Sequence, residues 1–318
     1  MTSFDSAAVL AHSSHLDYVL DDCYDRILTG RIHSGITLLV SELSLLRKRL
    51  GREPFHDEVA ARCLNHPIRN YIHQCPFARR CFTKPRGYAG DAVIIDYFYG
   101  YEGPEQSDTP IGRTIFQVSM TQSMCESARY RRVVLAQKID EVAQSVCNAQ
   151  IVSVACGHLR ELDLSNAIRK GYVSRFIALD QDAESVALVK QEAERRGLPV
   201  EVVCASVAEI NRRKFQCNDV NLIYAAGLYD YLRLPTARRL TSRMFDMLAS
   251  GGKLLVANYT PDVVEHGYME AFMDWNLIYR NECEAASFMD EIDASLIQDM
   301  RLFRDPQGNV LYLELTRL

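Results

Sequence analysis

What the chain lacks narrows it first. No run approaches the roughly 18 apolar residues that a membrane span needs, so no transmembrane helix is expected. The opening MTSFDSAAVLAHSSHLDYVL has no basic start followed by an apolar stretch, and no secretory leader is expected from it. Neither sign of charge dominates. A net charge of −5 over 318 residues creates no global field to draw nucleic acid or an anionic membrane. The ten cysteines follow no disulfide framework, and a chain of this length does not need staples, so reduced thiols in a cytoplasm are expected. Cys75 and Cys81, with His73 just before, have no second pair at a useful distance. Buried thiols are the better reading there, and no metal is expected. There is one tryptophan, and no internal repeat or low-complexity segment.

What is present suits two domains, with an apolar fraction of 48% that can build a real core. Residues 1–145 read as helical. In SGITLLVSELSLLRKRL, Ile36, Leu39, Leu43, Leu46 and Leu50 recur at steps of three and four, one apolar stripe with basic residues opposite. HDEVAARCLNHPIRNYIHQ has the same period, interrupted by Pro67, and ESARYRRVVLAQKIDEVAQSV is a long third pattern. Between them, residues 82–110 are rich in Gly, Pro and Tyr.

From residue 150 the texture changes. IVSVA, RFIALD, VEVVCAS, VNLIYAAG and KLLVANY read as strands, separated by the helical patterns LDLSNAIRKG, AESVALVKQEAERRG and PTARRLTSRMFDMLASGG. This alternation predicts a parallel, doubly wound sheet. The end, LIQDMRLFRDPQGNVLYLELTRL, reads as a β-hairpin around DPQGN. The expected class is α/β: a parallel sheet finished by an antiparallel hairpin over 146–318, preceded by a helical domain over 1–145.

In such a sheet, ligands sit past the carboxyl ends of the strands, near the point where strand order reverses. The turn after the first strand, ACGHLRE, therefore faces a ligand. Gly157 lets the backbone come close, and the helix start beyond it offers free N–H groups. Asp180 ends the second strand and can accept both hydroxyls of a ribose. A nicotinamide dehydrogenase would need G-x-G-x-x-G for close approach of a pyrophosphate. His158, Leu159 and Arg160 leave little bare backbone for one, which puts that alternative second.

SVACGHLREL, IALDQD, VVCAS, LIYAAGLYDYL and LASGGKLLVAN resemble the successive motifs of class I S-adenosylmethionine-dependent methyltransferases, and the terminal hairpin is also that family's mark. The resemblance covers residues 150–318. It implies a Rossmann-like methyltransferase fold, S-adenosylmethionine as cofactor, and Ala155, Gly157, His158, Glu161, Asp180, Gln181, Ser206 and Ala226 as cofactor-binding residues, with Glu161 reaching the amino group. There are departures. Ser153 stands where the family has an acid, and Ala155 and Leu159 where it has its first and third glycines. Ser206 replaces the acid after strand three. They imply modest affinity, or a site that the N-terminal segment helps to close. A second resemblance is carried by QCPFARRCFTKPRGYAGDAVIIDYFYG and GYMEAFMDWNLIYR, which look like the bacterial family for biosynthesis of 3-hydroxypalmitic acid methyl ester. It implies the carboxylate of a hydroxy fatty acid or related acyl compound as methyl acceptor. O-, N- or C-methylation in a natural-product pathway, and a non-catalytic cofactor-binding or scaffold protein, stay open as alternatives.

Methyl transfer from a sulfonium is an in-line displacement, in which a protein aligns the partners and excludes water. A carboxylate nucleophile is already charged, whereas a phenol or amine needs a base. The catalytic candidates are Arg86 and Tyr88, in a segment 84–99 expected to form a lid or wall, and His266 as a base. Tyr97, Tyr99, Tyr229, Tyr259, Trp275 and Tyr279 are the expected aromatic lining, with Trp275 and Tyr279 at helical spacing. Arg113 and Arg280, like Arg86, could pair a carboxylate in two places. The blander reading of each is a core aromatic or a structural arginine. The basic run FARRCFTKPR either docks an acidic carrier protein or is a solvated helix face. The expected partner is a small-molecule substrate, free or carrier-bound, without nucleic acid or membrane. A homodimer is left open.

Overall fold

The computed structural model describes residues 6–318, with side chains from residue 14. Residues 1–5, part of the stretch read for a leader, lie outside the described residues. The chain divides into two compact units. One comprises Met1–Glu126 and Val263–Asn276, the other Ser127–Asp262 and Leu277–Leu318.

The first unit is helical. The stripe Ile36, Leu39, Leu43 and Leu46 is buried on the helix Ile32–Leu50. The second pattern begins as a π-helical turn, Phe55–Ala60, and runs on as Ala61–Asn65. It stops at His66 (ψ 143°), because the ring of Pro67 excludes a helical residue before it. Shorter helices follow at Arg69–Ile72, Pro76–Thr83, Ala92–Tyr99 and Pro110–Met120. The late segment Val263–Asn276 joins this unit through named contacts. Glu270 accepts from Arg47 Nε at 2.6 Å, the Phe272 carbonyl accepts from His73 Nε2 at 2.7 Å, and Glu265 accepts from the Ser123 hydroxyl at 2.9 Å.

The second unit is built on a seven-stranded sheet: β1 (Ala149–Val154), β2 (Val173–Asp180), β3 (Val200–Cys204), β4 (Val220–Ala226), β5 (Leu248–Tyr259), β6 (Ile297–Arg304) and β7 (Val310–Arg317). The order is β3-β2-β1-β4-β5-β7-β6. β1 to β5 are parallel, and β7 runs antiparallel between β5 and β6. The expected strands and hairpin are therefore present, and the order reverses between β1 and β4. Buried parallel strands carry near-continuous apolar runs. Val152, Val154, Ile177, Leu179, Ile223, Leu254 and Val256 form the core with Leu240, Met244 and Phe245 of the helix Leu234–Asp246.

The boundary between units falls inside the helix Ser123–Ser145 rather than at its end. Its later turns belong with the sheet: Lys138 Nζ pairs with Glu314 Oε2 of β7 at 2.6 Å, and Asp140 accepts from the Ser165 hydroxyl at 2.5 Å and the Ala167 N–H at 2.8 Å. The same cap splits the helix expected over LDLSNAIRKG. Ser165 accepts from the Ile168 N–H, so the chain makes a 3₁₀ turn at Arg160–Asp163 and then a short helix, Asn166–Arg169. Trp275 and Tyr279 do not share a helix. That helix, His266–Met273, ends at Asp274 in a left-handed conformation (φ 46°), and the two aromatics fall in different units. Among the described residues, no helix is long and apolar enough to cross a membrane.

Candidate active site

The turn after β1 is the candidate site. Ala155, Gly157 and Leu159 have φ of 54°, 53° and 53°. These are the three positions where the resembled family has glycine, and the backbone here takes the glycine-type shape at all three although one glycine is present. Left-handed alanine and leucine are strained by about 1–2 kcal/mol each. Surroundings must hold them. The Cys156 N–H donates to the Leu179 carbonyl at 2.9 Å, the Leu159 N–H to the Cys156 carbonyl at 3.0 Å, and the Leu159 side chain is buried.

Asp180 fastens this turn to the end of β2. Its Oδ2 accepts from the Gly157 N–H at 2.8 Å and its Oδ1 from the Asp182 N–H at 2.9 Å. Burial pushes its pKa up, against the pull of those two hydrogen bonds. Each carboxylate oxygen keeps lone-pair capacity, so the group can still take ribose hydroxyls. Gln181 beside it is exposed, and Ser206, past β3, is half-buried. The Ser206 hydroxyl is engaged in a capping box, donating to Glu209 Oε2 at 2.8 Å. Ala226 ends β4, half-buried, and His158 is buried in the first turn.

Glu161 is buried and accepts from the Tyr224 hydroxyl at 2.6 Å. Burial raises its pKa, opposed by Tyr224 and by the charges of Arg131 and Arg132. Ser153, standing where an acid was expected, is paired in register with Tyr224 across β1 and β4. The acid of this site thus arrives eight residues later in the chain and is held through the tyrosine of the neighbouring strand.

The remaining candidates divide between the units. Tyr229, Tyr259, Tyr279 and Arg280 lie in the sheet unit. Tyr229 is fully buried, with its hydroxyl 2.7 Å from Thr241 Oγ1 and its ring against Phe288. Arg280 is buried too. It donates to the carbonyls of Tyr229 (2.7 Å) and Leu232 and to Asn258 Oδ1 (2.6 Å), and it lies over the Phe288 ring. These groups stitch the segment after β4 to β5, with Asp230 accepting the Tyr259 N–H at 2.6 Å. Burial raises Asp230 from 3.8 to about 6. Tyr259 is buried at the end of β5, and Tyr279 is half-buried.

Arg86, Tyr88, Tyr97, Tyr99, Arg113, His266 and Trp275 lie in the helical unit. The PRGYAGD loop is pinned by Asp91, whose carboxylate takes Arg80 in two places (3.0 and 2.7 Å) and caps the helix Ala92–Tyr99 through the Ile94 N–H. Arg86, Tyr88 and Tyr99 are half-buried. Tyr97 packs edge-on against Phe116, and Trp275 stacks on Phe98. Arg113 donates to the Asp108 carbonyl. His266 is buried, and burial together with Arg47 lowers its pKa, leaving a neutral imidazole at pH 7. The basic run is largely paired: Arg79 with Asp108, Arg80 with Asp91, Lys84 with Asp274. Cys75 and Cys81 are fully buried, and burial pushes Cys75 up to about 12. Among the described residues no cluster of three or more metal-type side chains occurs.

Sequence reasoning missed Arg131 and Tyr224. Arg131 is buried on the helix Ser123–Ser145, beside Gly227 at the end of β4. A signal was available, because Arg131 falls three residues after Ala128 and four before Leu135, on the apolar stripe where a cation is out of place.

Residues 151–252 match the family profile described as a methyltransferase domain, a span from β1 into β5 that holds the turn, Asp180, Ser206 and Gly227. No curated protein matches the chain. Among solved structures, a protein from Bordetella parapertussis described as a possible exported protein is 14% identical, with 99% of each chain covered and a TM-score of 0.62, a likeness of fold. The N-methyltransferase NodS from Bradyrhizobium japonicum WM9, in complex with S-adenosyl-L-homocysteine, is 12% identical over 60% of this chain and 87% of its own, with a TM-score of 0.43. The span that carries this candidate site is thus similar to a methyltransferase domain.

Proposed function

We infer that the protein methylates a small-molecule acceptor, in the first place the carboxylate of a hydroxy fatty acid or related acyl compound. The observation that carries the cofactor half of this reading is the buried Asp180 carboxylate. It is tied at 2.8 Å to the Gly157 N–H beside the point where strand order reverses. S-adenosylmethionine supplies a methyl group on a sulfonium, and Asp180, Gly157 and Glu161 are the residues that would hold its ribose and amino-acid ends.

The acceptor half rests on the resemblance of the helical segments and on their chemistry. Phe77, Phe98 and Trp275 form an aromatic cluster, an environment suited to an acyl chain. An ionised carboxylate needs no base. The pairing of Arg79, Arg80 and Lys84 with acids favours a free acyl compound over one presented by an acidic carrier. The ten free thiols fit a reducing compartment such as the cytoplasm. The neutral imidazole of His266 favours a second reading, in which a phenol or amine acceptor is deprotonated there.

The test uses S-adenosylmethionine labelled in the methyl group, with 3-hydroxy fatty acids in one set of reactions and phenols and amines in another. Label appearing in base-labile esters supports the first reading. Label only in ether or amine products supports the second, and no transfer to any acceptor removes both. Tyr88→Ala should lower turnover while leaving the thermal midpoint in place, and an equal loss of both would remove Tyr88 from the substrate side.

A further inference from the structure

A parallel core strand is the place for aliphatic side chains, and β4 has them at Leu222, Ile223 and Ala225. Among them stands Tyr224, 2% exposed. A phenol so placed needs a partner for its hydroxyl. Tyr224 donates to Glu161 Oε1 at 2.6 Å, and the hydroxyl of Ser153, its register partner on β1, also reaches it. Ser153, Tyr224 and Glu161 thus form one buried row, from β1 through β4 to the 3₁₀ turn Arg160–Asp163.

A carboxylate has about four lone-pair sites, and Tyr224 takes one, so Glu161 keeps capacity for a further donor. The groups around it are Arg131 and Arg132 of the helix Ser123–Ser145, Tyr224 of β4 and the neutral Cys156 thiol of the β1 turn. Burial favours the uncharged acid most strongly, and the Tyr224 hydroxyl and the two guanidinium charges oppose it. A second carboxylate at 153 would compete for the same hydroxyl and repel Glu161, so the serine there and the acid at 161 belong together. We propose that Tyr224 is a positioning residue: its hydroxyl fixes the Glu161 carboxylate for the ammonium of the bound cofactor, and Ser153 steadies that hydroxyl.

This rests on the cofactor reading above and deepens it. The test is calorimetric titration of the wild type, Tyr224→Phe and Glu161→Gln, from about pH 5 to 7, where an α-amino group stays protonated. The probes are S-adenosylhomocysteine and methylthioadenosine, the same nucleoside without the amino-acid end. Phenylalanine keeps the ring of residue 224 and removes only the hydroxyl. The ratio of the two affinities isolates the amino-acid end, because Asp180 faces the ribose that both probes share.

In the wild type the ratio should fall as pH drops and Glu161 takes up its proton. Tyr224→Phe should lower it about tenfold near neutral pH and move the fall to higher pH, because burial is then less opposed. Glu161→Gln should lower it at least as much and flatten its pH dependence. A wild-type ratio that does not vary with pH, or a Tyr224→Phe ratio equal to that of the wild type, overturns the inference and leaves Tyr224 a structural residue of β4. Equal weakening of both probes by Tyr224→Phe overturns it too. A wild type that binds neither nucleoside overturns the cofactor reading itself, and this inference with it. Methylthioadenosine binding doubles as the control that each variant is folded.

Discussion

The strained turn lends itself to a test in which two neighbouring substitutions move in opposite directions. Ala155 and Leu159 both sit near φ +54°, where a non-glycine residue costs about 1–2 kcal/mol. Glycine removes that cost but adds about 0.4–1 kcal/mol of freedom to the unfolded chain. For Ala155→Gly the lost methyl is half-buried, so a net stabilisation of about 0.5–1 kcal/mol is expected. Leu159 is 5% exposed, and emptying such a position costs about 2–5 kcal/mol. Leu159→Gly should therefore destabilise by about 1–4 kcal/mol despite the same relief of strain. Urea unfolding followed by circular dichroism reads both from the shift of the midpoint at constant slope. The glycine-type shape is already present, so Ala155→Gly should leave the affinity for S-adenosylhomocysteine unchanged. Destabilisation by Ala155→Gly of more than about 1 kcal/mol, the scale of the strain itself, would refute the claim that the turn is held against its own preference.

Three further outcomes follow from buried groups. Folded Asp230 keeps its proton up to about pH 6, whereas the unfolded group releases it near 3.8; its contribution to stability, on the order of 3 kcal/mol, is full at low pH and lost as pH rises through that window. Asp230→Asn should flatten the stability profile there, and an unaltered slope would show that another group sets it. Tyr224→Phe removes the hydroxyl that meets Glu161 and should cost about 1–3 kcal/mol in denaturant unfolding; a neutral result would mean that Glu161 is satisfied elsewhere. Asp91→Ala removes the buried partner of the half-buried Arg80 and should cost about 1–3 kcal/mol. Asp91→Asn, which keeps the cap on the Ile94 N–H, should cost clearly less in a thermal melt.

Much of the sheet unit was legible because its signals are local. Strands of the IVSVA and KLLVANY kind announce themselves by composition, and the DPQGN turn sets the hairpin between β6 and β7. The position of Asp180 at the end of β2 was legible because it follows from strand length alone. Long-range pairing was not legible. The Ser165 hydroxyl donates to Asp140, Glu161 in the turn beyond β1 accepts from Tyr224 of β4, and Arg280 donates to the carbonyls of 229 and 232. None of these partners can be read from spacing. The helical spacing of Trp275 and Tyr279 misled for a related reason: periodicity does not reveal that Asp274 turns left-handed and ends the helix. A composition shift marked the start of the sheet near 146. The long helix running across that point belongs to both units, and the insertion Val263–Asn276 returns to the first.

The most direct test of whether a turn with one glycine serves as the cofactor cradle is calorimetric titration of the wild type and Asp180→Ala with S-adenosylhomocysteine. Asp180 holds the Gly157 and Asp182 N–H groups at 2.8 and 2.9 Å, so its loss removes both the turn's fastening and the ribose acceptor. The wild type should bind, and Asp180→Ala should weaken binding by roughly 1–3 kcal/mol, the cost of leaving polar partners unpaired. No binding by the wild type, or equal binding by both proteins, would contradict the placement of the cofactor against this turn.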